Sequence, residues 1–201
     1  RQMKVWEYPI EKETVDQLMS TVPNLRVAPD VKEYVKRIER NRMKLLELKE
    51  IEDVDINVPF ADKLRNYQRV GANFLKTAGK CILADDMGTG KTLQAITACE
   101  ELGAQRVLVV CPNSLKWNWY EEIGKWTDSK VVVVDGTRAK REKAIQEFQG
   151  KYLIINYESM RLHEELQKIH WDVLVVDEAH KIKNRKAKQT RAINKIKADH
   201  I

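Results

Sequence analysis

Hydrophobic residues recur at helical spacing in the first quarter of the chain, within an otherwise charged sequence. This spacing predicts a short helix over residues 11–19 and a long amphipathic helix from residue 30 to about residue 50. Residues 51–59 have no clear period and contain several acids, which is typical of a connector. We therefore expect a small helical N-terminal accessory segment and linker over residues 1–59.

Short runs rich in β-branched residues alternate with helical stretches from residue 60 onward. Such runs, bounded by turn residues, are typical of buried strands in a parallel sheet. Five strands are predicted, at residues 81–84, 106–111, 130–135, 152–156 and 172–177. The pattern predicts an α/β domain over residues 60–201, with a parallel sheet covered by helices on both faces.

Charge is distributed unevenly between these two parts. The chain has 201 residues with 36 basic and 30 acidic side chains, a formal net charge of +6. Residues 1–60 contain 11 basic and 12 acidic residues, whereas residues 61–201 contain 25 and 18. The positive excess in the second part favours a polyanionic partner there.

Composition excludes several classes of protein. Hydrophobic residues make up 43% of the chain and charged residues 33%, which does not fit a disordered or collagen-like chain. No apolar run is long enough to cross a bilayer, and the N-terminus has no signal-peptide pattern. Cys81, Cys99 and Cys111 have neither zinc-site spacing nor the even number of a disulfide framework. We therefore expect an intracellular protein with reduced thiols and no membrane partner.

A glycine-rich segment follows the first predicted strand. Residues 85–92 read DDMGTGKT and lead into a helical pattern, which is the context of a phosphate-binding loop. Gly88 and Gly90 allow successive backbone N–H groups to turn toward an anion. Lys91 is expected to reach the β- and γ-phosphates of ATP, and the Thr92 hydroxyl is expected to ligate Mg²⁺.

One residue departs from the general phosphate-loop pattern. That pattern, G-x-x-x-x-G-K-[ST], has glycine at the position of Asp85. The alternative interpretation is a glycine-containing turn between strand and helix with a chance Lys-Thr pair. Taken alone, the segment leaves both interpretations open.

An acidic pair ends the last predicted strand. The apolar residues 173–176 lead directly into Asp177 and Glu178, within the sequence DEAH. The carboxyl end of a parallel strand faces the crevice in which such sheets bind ligands. We expect Asp177 to hold Mg²⁺, usually through water, and Glu178 to orient and polarise the attacking water. A solvated acidic strand end is the alternative.

Together these segments resemble the Swi/Snf-type DNA translocases of the superfamily 2 helicase-like ATPases. The resemblance covers residues from about 62 to 190. It is carried by LRNYQ at 64–68, ADDMGTGKT at 84–92, VVCPNSL at 109–115, NYE at 156–158 and DEAH at 177–180. In that family an acid also stands at the position of Asp85.

The resemblance implies a fold, cofactors and partners. The expected fold is the N-terminal RecA-like P-loop NTPase lobe, with ATP and Mg²⁺ as cofactors. The implied activity is ATP hydrolysis coupled to movement on duplex DNA, independent of base sequence, or to remodelling of protein–DNA complexes. The alternative is a catalytically inert ATP- or nucleic-acid-binding module. The expected compartment is the nucleoid of a prokaryote or the nucleus of a eukaryote.

The resemblance also assigns roles to individual residues. Gln68 would recognise the adenine edge, and Met87 and Thr89 would line the phosphate loop. Ser114 and Tyr157 would contact the DNA backbone. For Gln68 a surface position on a helix is the alternative, and for Ser114 a helix cap.

Further residues invite a functional interpretation. By the resemblance, His180 would couple the nucleotide to the rest of the motor; the four histidines lack the neighbours of a metal site. Trp119 and Trp126 fall at helical spacing with apolar neighbours and are predicted to be core, which leaves Trp117 and Tyr120 free for a partner.

Residues 181–197 contain eight basic side chains and no acid. A solvated helix face and a track for DNA phosphates are both open interpretations.

The last expectation concerns residues 181–201. By the resemblance, a strand with a Thr-containing turn follows the basic stretch, and a second RecA-like lobe then supplies arginines to the γ-phosphate. Residues 181–201 contain no β-branched run, so we expect the 201 residues to stop before that strand and to hydrolyse ATP near background on their own. A GTPase is disfavoured because the string NKIK at 194–197 lacks the aspartate of N-K-x-D.

Overall fold

The structure, a computed structural model, describes residues 12–22, 25–48 and 54–201. The chain divides into two compact units, Arg1–Ile51 and Glu52–Ile201. The second unit begins before residue 60 because Ile56 and Val58 are buried in its core. Part of the predicted linker is therefore packed against the α/β domain.

The described part of the first unit is helical, as the hydrophobic spacing predicts. Helix α1 covers Lys12–Thr21 and α2 covers Pro29–Leu48. Residues 11, 49 and 50 of the two predicted helices lie outside the described residues. On α2, Val35 is buried whereas Tyr34 and Ile38 are exposed.

The second unit is built on a sheet of five parallel strands. In chain order these are β1 (Val107–Cys111), β2 (Val131–Val133), β3 (Tyr152–Asn156), β4 (His170–Val176) and β5 (Lys197–His200). Their spatial order is β2-β3-β1-β4-β5. Strand β1 is central, and its Val110 lies opposite Ile155 of β3 and Val176 of β4. The carboxyl ends of these three strands therefore meet at one edge of the sheet.

Helices cover both faces of this sheet. They are α3 (Asn66–Ala78), α4 (Lys91–Glu101), α5 (Lys116–Trp126), α6 (Arg138–Gln146), α7 (Tyr157–Met160) and α8 (Lys188–Ile193). Along β1, Val107 and Val109 belong to a core cluster that includes Ile96 of α4, whereas Leu108 and Val110 belong to a second cluster with Ile193 of α8. Because side chains alternate along a strand, two cores result. The predicted α/β class is confirmed.

Two of the predicted strand assignments need correction. Residues 81–84 form no strand. Ile201, directly after β5, bonds to both sides of Lys80: Cys81 N donates to the Ile201 carbonyl (3.0 Å), and Ile201 N donates to the Gly79 carbonyl (2.7 Å). Conversely, β5 lies where no strand was expected, because its backbone pairs in parallel with β4. The expectation that residues 181–201 contain no strand is therefore wrong.

Cysteines and helix lengths add two observations. Cys81, Cys99 and Cys111 are free thiols, and Cys99 and Cys111 are buried. Burial raises the pKa of Cys99 to about 12, with a smaller contribution in the same direction from Glu100. Among the helices in the described ranges, none combines the length and apolar content that a membrane crossing requires.

Candidate nucleotide site and the family of the chain

The glycine-rich loop connects the segment next to β5 with the start of α4. Gly88 (φ 84°) and Gly90 (φ 77°) both have left-handed backbone angles. An added Cβ at Gly88 would meet nothing within 4 Å, whereas at Gly90 it would lie 2.5 Å from Gln68 Nε2. The loop therefore needs glycine at residue 90 for its backbone angle and for close packing against α3.

Lys91 closes the loop on itself. Its Nζ donates to the backbone carbonyls of Asp85 and Asp86, at 2.8 Å each. The Thr89 hydroxyl donates to the Asp86 carbonyl as well, at 2.9 Å. Met87, at the tip, is 98% exposed. The Lys91 ammonium group is thus bonded to two carbonyl groups of its own loop.

Two buried glutamines hold the loop from below. Gln68 of α3 accepts from the backbone N–H of Arg65 (3.1 Å) and donates to the Thr89 carbonyl (3.2 Å). Gln94 of α4 donates to the Asp85 carboxylate at 3.0 Å. Space for Gln94 exists because residue 71 is glycine: an added Cβ there would lie 1.8 Å from Gln94 Oε1. Asp85 therefore has a structural partner in the position where the general pattern has glycine.

The acidic pair follows β4 at the same edge of the sheet. Asp177 N donates to the Val110 carbonyl of β1 at 2.9 Å. Glu178 has φ 54°, and among the described residues other than glycine no further one has a positive φ. Its backbone N–H donates to Asp177 Oδ1 at 2.8 Å, and its carboxylate lies 3.1 Å from His180 Nδ1. This turn, with its positive φ, places the exposed side chains of Glu178 and His180 next to the half-buried Asp177.

Asp177 is braced from two further directions. The indole N–H of Trp119, on α5, donates to Asp177 Oδ2 at 2.9 Å. The Tyr157 hydroxyl donates to the Asp177 backbone carbonyl. Burial raises the pKa of Tyr157, and the negative charge of Asp177 raises it further. The phenol therefore remains protonated and acts as a donor.

A thiol that is unreactive at neutral pH lies near Asp177, at the end of the neighbouring strand β1. Cys111, the last residue of β1, is buried, and this burial raises its pKa to about 12. The charge of Asp177 acts in the same direction, whereas Lys116 opposes it. A thiol in this state is a poor nucleophile and a poor metal ligand at neutral pH. We therefore exclude Cys111 from the reacting groups.

A family model described as "SNF2-related domain" matches residues 14–201. The chain belongs to this family. It is 29% identical to human "Chromodomain-helicase-DNA-binding protein 6" over 97% of this chain and 8% of that protein. It is 32% identical to "TATA-binding protein-associated factor mot1" of Schizosaccharomyces pombe over 93% of this chain and 11% of that protein. The chain thus spans about a tenth of the length of these relatives.

Solved structures of SWI2/SNF2 ATPase cores are similar in fold to about three quarters of this chain. The "Sulfolobus solfataricus SWI2/SNF2 ATPase core in complex with dsDNA" aligns with a TM-score of 0.62 at 29% identity, over 74% of this chain and 32% of that one. The ATPase core domain of the same organism aligns with a TM-score of 0.54 at 31% identity. These matches confirm the predicted RecA-like lobe and the resemblance to Swi/Snf-type ATPases.

The SNF2-related lobe contains the predicted magnesium ligands as oxygen donors. Thr92 is the second residue of α4 and half-buried, and Asp177 is half-buried at the end of β4. Hydroxyl and carboxylate oxygens suit Mg²⁺, which is usually bound by one or two carboxylates together with substrate phosphates and water. Over the described ranges, no group of three or more His, Cys, Asp or Glu forms a metal site from protein alone. The donor set fits Mg²⁺ bound together with a nucleotide.

The two predicted DNA contacts have different environments. Ser114 is exposed in a 3-10 turn, Asn113–Leu115, that follows β1. Tyr157 is 2% exposed, and its hydroxyl is already bonded beneath the acidic turn. The contact of Tyr157 with DNA stays a prediction, and within the fold its hydroxyl supports the acidic turn.

The aromatic residues of α5 are positioned as the helical spacing predicts. Trp119 is 4% exposed, and Trp126 packs against Phe60 with ring centroids 5.5 Å apart. Trp117 and Tyr120 are 51% and 44% exposed and contact each other edge to face. What the spacing does not reveal is the hydrogen bond from Trp119. A buried indole N–H needs an acceptor, and this requirement is the signal that could have found it.

Two further polar residues are absent from the sequence predictions. Lys116, the first residue of α5, is 2% exposed, and its Nζ lies 2.8 Å from Asp135 Oδ1. This hydrogen bond lowers the pKa of the Asp135 carboxyl. Gln94 is fully buried on α4, whose other buried residues are apolar except for Thr97. A buried amide or ammonium group within an apolar pattern indicates that it has a hydrogen-bond partner, but the pattern does not identify that partner.

Proposed function

We propose that this chain is the ATP-binding lobe of a DNA-dependent ATPase of the translocase type. One observation carries the proposal: the glycine loop that Lys91 closes at the start of α4 lies at the same sheet edge as Asp177 and Glu178. The family of the chain and the expected chemistry of these residues agree with it. The activity of the whole protein is part of this proposal.

In the proposed nucleotide complex, Lys91 exchanges its two backbone carbonyl partners for β- and γ-phosphate oxygens. The N–H groups around Gly88 and Gly90 and the N-terminus of α4 surround the same phosphates. The Gln68 amide, which lies against the loop, binds the adenine edge. A charged ammonium is needed because neutral N–H donors alone compensate a triphosphate poorly.

Thr92 and Asp177 would hold Mg²⁺ in this complex. When bound, the ion neutralises charge on the phosphates. Glu178 is proposed to accept a hydrogen bond from the attacking water and to orient it toward the γ-phosphate. His180, whose Nδ1 lies 3.1 Å from the Glu178 carboxylate, is proposed to couple that carboxylate to the rest of the protein.

Duplex DNA is the proposed polymer partner, recognised through phosphates and independently of base sequence. The exposed Ser114 and the exposed basic side chains of residues 181–197 support this role. All eight of these basic residues are exposed, and in the described part of the chain none of them has an ion-pair partner. The similar Sulfolobus ATPase core was solved in complex with double-stranded DNA. A second RecA-like lobe is the expected protein partner, in an intracellular compartment that contains DNA.

ATP hydrolysis by the full-length protein, measured with and without duplex DNA, tests the proposal. We expect hydrolysis of ATP that rises severalfold when duplexes of unrelated sequence are added. The Glu178→Gln variant controls for contaminating ATPases. Hydrolysis that is unaffected by DNA, or absent under all conditions, would contradict the proposal, and absence would favour an inert binding module.

A further inference from the structure

We propose that Trp119 is a positioning residue that holds the Asp177 carboxylate and links it to the polar turn Asn113–Leu115. This inference rests on the proposed function, because it concerns how the proposed magnesium ligand is oriented. The helical spacing of Trp119 indicates only a core position. The inference adds a role in orienting Asp177.

The hydrogen bonds around Asp177 leave its carboxylate one orientation. Oδ2 accepts from Trp119 Nε1 at 2.9 Å, and Oδ1 accepts from the backbone N–H of Glu178 at 2.8 Å. Each oxygen is thus fixed by a different element, one by α5 and one by the strained turn. Outer partners of this kind orient metal ligands and tune their affinity.

Trp119 also connects this carboxylate to a surface feature. It lies in the first turns of α5, and α5 starts directly after the turn that exposes Ser114. The Trp119 ring is buried against the sheet, so a shift of the turn is passed along the rigid helix to the indole. A ligand that binds the turn can therefore move a hydrogen-bond donor of Asp177 without touching the nucleotide.

A second connection reaches Asp177 from β3. Asn156, the last residue of β3, donates to the Asn113 side chain at 2.7 Å and caps α7 through Ser159 N. The next residue, Tyr157, donates to the Asp177 carbonyl. The two polar turns thus contact each other. Tyr157 of the second turn bonds to Asp177 directly, whereas the first turn is connected to it through Trp119 of the helix that follows.

The test compares two tryptophans of α5 that differ in their acceptor. Trp119→Phe removes the N–H that Asp177 accepts and keeps an aromatic ring in the core. Trp126→Phe is the matched control, because its N–H donates to Glu122 of the same helix at 3.0 Å. Binding of a fluorescent, non-hydrolysable ATP analogue to the full-length protein is titrated with Mg²⁺, with and without duplex DNA.

We expect Trp119→Phe to raise the Mg²⁺ concentration at half-maximal binding about 10- to 100-fold. In the unmodified protein and in Trp126→Phe we expect duplex DNA to shift this Mg²⁺ midpoint by the same amount. In Trp119→Phe we expect duplex DNA to cause no shift. Equal midpoints in the two variants, or an unchanged DNA shift in Trp119→Phe, would overturn the inference. Loss of Mg²⁺-dependent binding in the unmodified protein would instead contradict the proposed function, and this inference with it.

Tyr157→Phe provides a second variant that is independent of α5 packing. Its control is Tyr152→Phe, at the start of β3, where the lost hydroxyl donates to Glu100 at 2.7 Å. We expect Tyr157→Phe to raise the Mg²⁺ midpoint severalfold and Tyr152→Phe to leave it unchanged. If both variants leave the midpoint unchanged and Trp119→Phe equals its control, Asp177 needs no brace.

Discussion

The phosphate loop and the acidic turn lie at one sheet edge but are held in different ways. The loop is exposed from Ala84 to Gly88, and Lys91 donates hydrogen bonds to two of its backbone carbonyls. The acidic turn is fixed by donors from three elements: Trp119, Tyr157 and the turn itself. In the proposed nucleotide complex the lysine exchanges these partners for phosphates, whereas the aspartate is already oriented.

This difference separates two kinds of contribution to the proposed site. Groups of the loop provide binding free energy and must be mobile enough to close around phosphates. Groups of the acidic turn provide orientation, which is most effective when it exists before the substrate arrives. Substitutions in the loop should therefore change nucleotide affinity, and substitutions in the turn should change the Mg²⁺ dependence of binding and the turnover.

Lys91→Ala should produce the largest effect on affinity. The variant removes the charged ligand of the β- and γ-phosphates, so we expect Mg·ATP binding to fall at least about 100-fold. Equilibrium binding of a fluorescent ATP analogue measures this. Lys80→Ala, which removes an exposed lysine before the loop, is the matched control. Equal affinity of the two variants would remove Lys91 from the site.

Glu178→Gln should affect turnover instead. The amide keeps the size of the side chain but cannot accept a proton or polarise water as a carboxylate does, so we expect kcat to fall about 10²- to 10⁴-fold. Nucleotide affinity should stay within a few fold. Glu164→Gln, on an exposed turn, is the control. Normal turnover in Glu178→Gln would transfer the role to another group.

Comparing Gly90→Ala with Gly88→Ala separates the cost of backbone strain in the loop from the cost of lost packing. Both variants place a Cβ at positive φ, which costs about 1–2 kcal/mol each. Only Gly90→Ala also displaces the Gln68 amide, whose hydrogen bond adds about 1 kcal/mol. We expect lower thermal stability for Gly90→Ala than for Gly88→Ala, as measured by calorimetry. The reverse order would show that the Gln68 contact does not hold the loop.

The basic stretch should show the smallest effect per residue. Changing Arg185 and Lys186 to Gln should reduce the slope of log K against log salt for duplex binding by about 0.9 for each phosphate that is no longer neutralised. Lys140 and Lys143 of α6, changed to Gln together, provide a control for net charge. Equal slopes in the two double variants would indicate a solvated face rather than a phosphate track.

The sequence predicts well those features that depend on short segments. Strand β3 covers the predicted residues 152–156, and β1, β2 and β4 lie within one or two residues of their predicted positions, because buried β-branched runs are local signals. Strand β5, with the sequence KADH, has no such signal. It forms because the neighbouring strand offers unpaired backbone groups, which local propensity does not describe.

Side-chain partners across the fold could not be predicted. The residue pattern identifies Asp177 and Trp119 separately, but they are 58 positions apart, and only the packing of α5 on the sheet brings them together. Tyr157 illustrates the same limit. The resemblance implies a DNA contact at this residue, but it does not reveal that the side chain is buried or that its hydroxyl donates to the Asp177 carbonyl.

The central claim is that the loop and the acidic turn act on one metal–nucleotide complex. A double-mutant cycle on Thr92→Val and Asp177→Asn tests it, with the Mg²⁺ dependence of ATP-analogue binding as the readout. Because both side chains would hold the same ion, we expect each single variant to weaken the Mg²⁺ dependence and the double variant to weaken it by clearly less than the sum. Strictly additive effects, or an effect of only one residue, would contradict a shared site.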